Sequence, residues 1–424
     1  MPRLSEPARA VTLTLDGEAV RAAEGEPVAA ALVAAGRLVL ARSPKFHRPR
    51  GPSCFRAACD GCLARVDGVP NVMTCMVEAR DGMAVVSQNK LGSRDIDLLR
   101  VTDWFFPEGM NHHELFAGVP GIQNVMQAFA RRVAGLGKIP SERGEARGAA
   151  RREADAVVVG AGPFGAAAAL ALAAKGRTVE VIDDALGYGG AVRALHGTAR
   201  DAWRPLLDAF GAACVRAPKD GGIRLRLRTT AAGLYGDDLL VAGPDGAEVV
   251  TARDLVLAPG AHDGTLAFEG NDLPGVMSAR AAGILLASGV LAGERIVVAI
   301  AEGGGPFGEA YAAEVACIAP KAEVTVVRDR LVAAQGTSRV KRAVFERKKK
   351  EPLACDALVV DAPRSPAYEL SEQAGATLVA EPAGFRVAAE KGAIRRGVWA
   401  VGEVTGALLD PTHARAAAEV VAAG

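Results

Sequence analysis

The sequence has almost no net charge: 50 Lys and Arg against 49 Asp and Glu leave +1 at pH 7 over 424 residues. That balance gives no reason to invoke nucleic acid or an anionic membrane surface as a partner. The N-terminus, Met1-Pro-Arg-Leu-Ser-Glu-Pro, lacks the apolar core of a secretion signal. A stretch that a hydropathy window would flag, Ala156–Ala174, is free of charge but is interrupted by Gly160, Gly162, Pro163 and Gly165. It reads as strand, turn and helix, so no membrane span is expected. No C-x2-C or C-x4-C pair follows Gly190, which argues against disulfide-reductase chemistry. No constellation suited to amine oxidation stands out either, and no catalytic residue is assigned. What remains is an ordinary globular balance, 50% hydrophobic and 23% charged, long enough for one to three domains.

Cysteine is where the sequence becomes specific. Four of the seven cysteines crowd into residues 54–75. Without a secretion signal, such crowding points to metal rather than to disulfides, and to a cytoplasmic location. The spacing of Cys54, Cys59, Cys62 and Cys75 is C-x4-C-x2-C-x12-C. Its first part is the plant-type [2Fe–2S] ligand pattern, with the fourth thiolate supplied from farther along. Gly51 and Gly61 supply the backbone freedom that a tight ligand loop needs. The small side chains of Ala57 and Ala58 let amide N–H groups approach the sulfur atoms and tune the potential. A four-cysteine zinc site is the competing reading; zinc usually takes two C-x2-C knuckles, and only Cys59 and Cys62 form one. Cys214, Cys317 and Cys355 are scattered in apolar surroundings and read as core residues.

Around this quartet, Val11-Thr-Leu-Thr-Leu, Asp16-Gly17 and Glu18-Ala-Val-Arg-Ala predict a hairpin, followed by an Ala-rich helix over about 27–35. Leu63-Ala-Arg-Val, Asp67-Gly68 and Val72-Met-Thr-Cys75 predict a second hairpin. Two hairpins flanking a helix suit a β-grasp, ferredoxin-like α+β domain over 1–90. Residues 91–153 read as a connecting arm and linker, with a helix from about 124 to 136 and the aromatics Trp104, Phe105, Phe106 and Phe116 available to a partner. The basic run Arg347–Lys350, between two strand-like stretches, reads as a solvated loop.

From 154 to 424 the pattern is that of an α/β two-dinucleotide, Rossmann-type flavoprotein domain. Ala156-Val-Val-Val-Gly-Ala-Gly-Pro-Phe-Gly places G-x-G-x-x-G at Gly160, Gly162 and Gly165, with Pro163 opening the helix. A second strand ends in Asp183, where an acid can bond a ribose hydroxyl pair, and Gly189-Gly190 follows. Glycines there let backbone approach a pyrophosphate resting on the helix N-terminus. A less regular βαβ unit is inserted at about 290–360, with Gly303-Gly-Gly-Pro-Phe-Gly308; it reads as a degenerate half or as a second nucleotide site.

The run His47-Arg-Pro-Arg-Gly-Pro, the clustered cysteines and Asp67-Gly-Val-Pro-Asn-Val resemble the ferredoxin-like domains of flavin-dependent amine and amino-acid dehydrogenase complexes. With Ser87-Gln-Asn, Phe268-Glu-Gly-Asn-Asp-Leu-Pro-Gly-Val-Met and Gly289-Val-Leu-Ala-Gly-Glu-Arg, the chain resembles the α subunits of heteromeric sarcosine oxidase over nearly its full length. It is also similar to the related subunits of opine oxidase, hydroxyproline dehydrogenase and hydrogen cyanide synthase complexes. The run Gly397-Val-Trp-Ala-Val-Gly402-Glu403 resembles the returning strand of two-dinucleotide flavoproteins, in which an acid, normally aspartate, bonds the flavin ribityl chain; here that acid is Glu403. The resemblance implies FAD in the Rossmann site, with NAD as the alternative, beside the [2Fe–2S] cluster. It implies an electron-transfer subunit whose flavoprotein partner subunits, in a hetero-oligomeric complex, oxidise the amine. A self-contained NAD(P)H-dependent ferredoxin-type reductase and a scaffold subunit with structural cofactors are the other two readings.

Overall fold

The structure is a computed structural model that describes residues 3–43, 48–90, 92–94, 96, 120–122, 124–125, 148–216, 222–348, 351–389 and 392–423. The predicted helix at 124–136 and the aromatics Trp104, Phe105, Phe106 and Phe116 lie outside the described residues, wholly or in part. The chain forms two compact units. One comprises Met1–Arg143, Thr265–Glu302 and Phe307–Ala362; the other comprises Gly144–Gly264, Gly303–Pro306 and Pro363–Gly424.

The first unit opens with β1 (Ala10–Leu15) and β2 (Glu18–Ala23), paired antiparallel from Ala10↔Ala23 to Leu15↔Glu18. Both turn residues have positive φ, Asp16 at 53° and Gly17 at 87°, as a two-residue turn matched to strand twist requires. Alternation buries Leu13 and Leu15 on one face. Helix α1 (Val28–Ala34) covers that face and buries Val28 to Val33. The sheet is completed by β3 (Leu63–Val66), β4 (Val69–Met73) and β5 (Ala84–Val86) in the order β2-β1-β5-β3-β4. β3 and β4 turn at Asp67 (φ 47°) and Gly68 (φ 84°). This five-stranded mixed sheet with its covering helix is the ferredoxin-like domain expected.

The second unit is built on β6 (Ala150–Val159), helix α2 (Pro163–Ala174), β7 (Val179–Ile182) and β8 (Ile223–Arg226), all three strands parallel. On the other side of β6 lie β9 (Thr230–Tyr235), β10 (Asp238–Gly243) and β11 (Gly246–Leu257), giving the order β8-β7-β6-β11-β10-β9. Val157, Val159, Ile182, Leu255 and Leu257 form its core; helix α2, nearly all Ala and Leu, is buried along most of its length.

Back in the first unit, β12 (Val276–Ser278), α3 (Ala279–Ala287), β13 (Arg295–Ile300), α4 (Phe307–Ile318) and β14 (Glu323–Val327) begin a second parallel sheet. A three-stranded antiparallel flap follows: β15 (Leu331–Gly336), β16 (Val340–Phe345) and β17 (Leu353–Ala354). β18 (Ala357–Asp361) then enters the parallel sheet between β12 and β13, order β12-β18-β13-β14. In the second unit, β19 (Val398–Ala400) returns beside β11, and α5 (Pro411–Ala423) packs on α2. No helix among the described residues is long and apolar enough to cross a membrane.

Leu13 is fully buried between β1, β2 and α1. Leu13→Ala is expected to cost about 2–5 kcal/mol, read as faster amide hydrogen exchange across β1–β5, with the β6–β11 sheet unchanged.

Candidate functional site

The cysteine loop is held from outside by two close approaches. A Cβ on Gly51 would overlap the carbonyl oxygen of Leu38 and lie 3.1 Å from Pro274 Cβ; a Cβ on Gly61 would overlap the carbonyl oxygen of Gly51. These glycines therefore serve contact rather than torsional freedom. The left-handed backbone of the loop is at Phe55 (φ 52°) and Ala57 (φ 57°), neither of them glycine. Ser278 N–H donates to the Ser53 carbonyl at 3.0 Å, which fixes the start of the loop to the end of β12.

Inside the loop the thiols pair. Cys54 and Cys59 share a hydrogen bond, and so do Cys62 and Cys75. The bond from Cys54 holds the Cys59 thiol down to about 6, aided by the N–H groups of Gly61, Ser53 and Cys54 and opposed by burial. The bond from Cys75 likewise holds Cys62 below the ordinary thiol range, against burial. Their partners Cys54 and Cys75 are pushed up, since each keeps the shared proton. Amide N–H groups of Arg56 and Ala58 point at Cys54 sulfur and that of Ala57 at Cys75 sulfur, the approach that the two small side chains were expected to allow.

This donor set fits a binuclear cluster. Among the described residues no three Cys, His, Asp or Glu side chains converge on one point that could hold a single metal ion. Two thiol pairs, each able to serve one iron, match the two-iron pattern, whereas structural zinc wants four donors around one centre.

The glycine turn expected to cradle a nucleotide lies at the carboxyl ends of β6, β7, β11 and β19. Gly160, at φ 102°, passes so close to Ala258 that a Cβ would overlap its carbonyl oxygen. Gly162 caps α2, Pro163 takes its first position, and a Cβ on Gly165 would overlap the Gly160 oxygen. Gly189 N–H donates to Ala161 O at 2.8 Å, and a Cβ on Gly190 would sit 2.8 Å from Gly162 Cα. Asp183 reaches back into this loop: Oδ2 accepts from Ala161 N at 2.6 Å and Oδ1 from Ala185 N at 2.8 Å. Burial pushes its carboxyl above the usual range, and those two bonds oppose the shift.

Gly402 has φ 87°, and a Cβ there would lie 2.6 Å from Phe164 Cγ, so β19 closes onto the head of α2. The next residue, Glu403, is buried and forms an ion pair with Arg364; its Oε2 lies beside Gly260 in the loop after β11. Arg364 was not singled out in the sequence, nor was Arg193, whose side chain lies against Gly187 and Gly189 and donates to Gly187 O at 3.4 Å. Burial lowers the Arg193 guanidinium, and Asp183 opposes it. Neither arginine belongs to a motif, though Arg193 stands three residues after Gly190.

Residues 8–90 match the family described as 2Fe-2S iron-sulfur cluster binding domain, and residues 158–201 match the NAD(P)-binding Rossmann-like domain. The class is therefore an iron–sulfur ferredoxin domain joined to a Rossmann-like flavoprotein frame. More particularly, the chain is like the α subunit of sarcosine oxidase. It is 32% identical over 315 residues to sarcosine oxidase subunit alpha of Corynebacterium sp. (strain P-1), covering 68% of this chain and 28% of that protein. To the subunit of Rhizobium meliloti (strain 1021) it is 30% identical over 294 residues, covering 64% and 30%. A shorter match, 33% over 153 residues, is to hydrogen cyanide synthase subunit HcnB of Pseudomonas protegens, covering 34% of this chain and 32% of that one. The chain thus spans under a third of the length of the curated relatives it matches. In fold it is similar to L-proline dehydrogenase from P. horikoshii, with TM-score 0.69 and 21% identity over 95% of this chain and 70% of that one.

Gly61→Ala, which cannot fit beneath the Gly51 carbonyl, is expected to abolish iron and sulfide incorporation. Ala57→Gly relieves a positive φ and should retain both. Iron and acid-labile sulfide assays on the two purified variants check this; a fully loaded Gly61→Ala protein would contradict the packing described.

Proposed function

We propose that the chain is an electron-transfer subunit of a multi-subunit, flavin-dependent dehydrogenase or oxidase acting on amines or amino acids of the sarcosine, opine or proline kind. Substrate oxidation would take place on a partner flavoprotein subunit. The observation that carries the reading is the pairing of Cys54 with Cys59 and of Cys62 with Cys75, in a chain that also holds a glycine-lined nucleotide cradle. The likeness to sarcosine oxidase α subunits supports the substrate class.

In this reading each thiol pair holds one iron, and the amides of Arg56, Ala57 and Ala58 stabilise charge on the sulfurs. Gly160 and Gly190 let the neighbouring backbones close on the glycine turn, and a pyrophosphate would rest at the head of α2, where unbonded N–H groups favour an anion. Asp183 fixes the loop and offers its remaining lone pairs to a ribose. FAD is the nucleotide proposed, with NAD as the alternative. A flavin accepts two electrons and a [2Fe–2S] cluster passes one, so the pair would convert hydride chemistry to single-electron transfer.

The self-contained reductase reading needs a working second site at Gly303–Gly308. Here Asp361, buried at the end of β18, accepts from Gly308 N at 2.7 Å at the head of α4. A carboxylate on that helix terminus uses a donor that a pyrophosphate would need. This favours the relay over the reductase.

The purified chain is expected to give a rhombic EPR signal after dithionite reduction, absent in Cys59→Ser, and to release FAD on denaturation. NADH with a one-electron acceptor should give no turnover on the isolated subunit. Lack of the signal in the wild-type protein removes the relay; rapid NADH oxidation installs the reductase in its place.

A further inference from the structure

One face of the flap is cationic and unpaired. Between Arg328 and Arg347 six Lys and Arg stand against two acids, in a chain whose overall charge is +1. Three of the six are accounted for: Arg328 pairs with Glu309, Arg330 with Glu346 and Arg347 with Asp329. Arg339, Lys341 and Arg342 are in no ion pair among the described residues, and neither is Arg295 at the start of β13. These four line a single open groove of about 550 Å³ between β16, β17 and β13, with Cys355 and Asp356 in its wall. The one carboxylate present, Asp356, is already engaged: it accepts from Glu294 N at 3.0 Å and from Arg295 N at 2.9 Å. Four cations against one carboxylate leave the groove net positive, and an anionic occupant lowers the repulsion among them.

The groove is tied to the cysteine loop by a short run of direct contacts within one unit. Val340 N, at the foot of β16, donates to Pro274 O at 2.9 Å. Pro274 is the neighbour that a Cβ on Gly51 would touch, and Gly51 O is the atom on which Gly61 rests, beside Cys59 Sγ. Gly275 is wedged between Val340 and Leu38, the residue whose carbonyl seats Gly51. Two layers of backbone thus separate the cationic flap from the loop that would hold the cluster.

We propose that this groove is the docking surface for an acidic electron-transfer protein that exchanges electrons with the cluster; the proposal rests on the relay reading above. The four cations are spread over the turn before β16, β16 itself and the start of β13, which suits the carboxylates of a protein face better than a single small phosphate. Docking of redox partners is of this kind: small, polar, steered by opposite charge and strongly weakened by salt.

The test uses the full chain with its cluster reduced by dithionite, and follows its reoxidation optically. The acceptors are an acidic flavodoxin, the basic protein cytochrome c and a neutral quinone. With flavodoxin the second-order rate should fall steeply between low and moderate ionic strength. Charge reversal by Arg339→Glu, Lys341→Glu and Arg342→Glu should lower it about tenfold or more at low salt and flatten the salt dependence. The neutral quinone should react with both proteins at one rate, and their EPR signals should match. Should reversal harm folding, the triple Gln variant at the same positions should give a smaller loss of the same kind. An unchanged flavodoxin rate in a folded variant overturns the proposal. So does calorimetric binding of inorganic phosphate or ATP that the variant loses while its flavodoxin rate is kept, which would make the groove a small-anion site. Absence of the cluster signal in the wild type is a separate failure, that of the relay; salt-dependent binding of flavodoxin, measured by calorimetry, then still decides the docking surface.

Discussion

The constraint on which the structure turns is the contact of Gly61 with the carbonyl of Gly51. A ligand loop for four thiols must be tight, and a tight loop of ordinary residues would splay where two backbone segments cross. Here they cross without side chains: Gly61 rests on Gly51, and Gly51 rests on Leu38 and Pro274. The strain goes to Phe55 and Ala57, whose positive φ turns the amides of Arg56, Ala57 and Ala58 toward sulfur. Two non-glycine residues in the left-handed region cost on the order of 1–3 kcal/mol each, and such strain concentrates where a site demands it. Because Pro274 and Ser278 belong to the stretch that begins the second parallel sheet, the cysteine loop is built partly on that sheet and not on the ferredoxin-like strands alone.

The same hexapeptide pattern, Gly-x-Gly-Pro-Phe-Gly, occurs twice, at 160–165 and at 303–308, and each time a carboxylate meets it. The difference is where the carboxylate binds. Asp183 takes the N–H of Ala161, before the helix begins, and so stiffens the loop while leaving the first turn of α2 open. Asp361 takes the N–H of Gly308, inside the first turn of α4. Charge-assisted bonds of this sort are stronger than neutral ones, so a ligand phosphate would have to displace Asp361 to use that N–H. One pattern thus supports an anion cradle in one half and a self-capped helix in the other.

Local signals in the sequence were sufficient wherever the determining contact is local. Asp16-Gly17 and Asp67-Gly68 mark both hairpins because only two-residue turns with positive φ match strand twist. The cysteine spacing and the first glycine fingerprint carried the two cofactor readings for the same reason. Legibility ends where the contact is between distant segments. Gly51 and Gly61 looked like hinges because a sequence shows that a side chain is missing, not which carbonyl fills its place. Asp361 belongs to no sequence motif, and nothing near it in sequence reveals that Gly308, 53 positions earlier, will donate to it.

Glu403 is the sharpest instance. In the sequence it stands as a longer acid where an aspartate is usual, and its extra methylene has no evident purpose. In the fold that length lets the carboxylate reach Arg364, 39 positions earlier, while its other oxygen stays beside Gly260. A buried acid and a half-buried base are each costly to desolvate, and pairing the two charges offsets that cost. Removing either partner takes away the charge that offsets the other's desolvation. The longer side chain and the arginine are therefore one feature. Residue 403 contributes a neutral ion pair, not a lone carboxylate, to the wall of the nucleotide site, and the hydrogen bonds open to a bound cofactor there are those the pair leaves over. Asp183 and Arg193 are further charged groups at this glycine turn, the first accepting from Ala161 N and the second lying against Gly187 and Gly189.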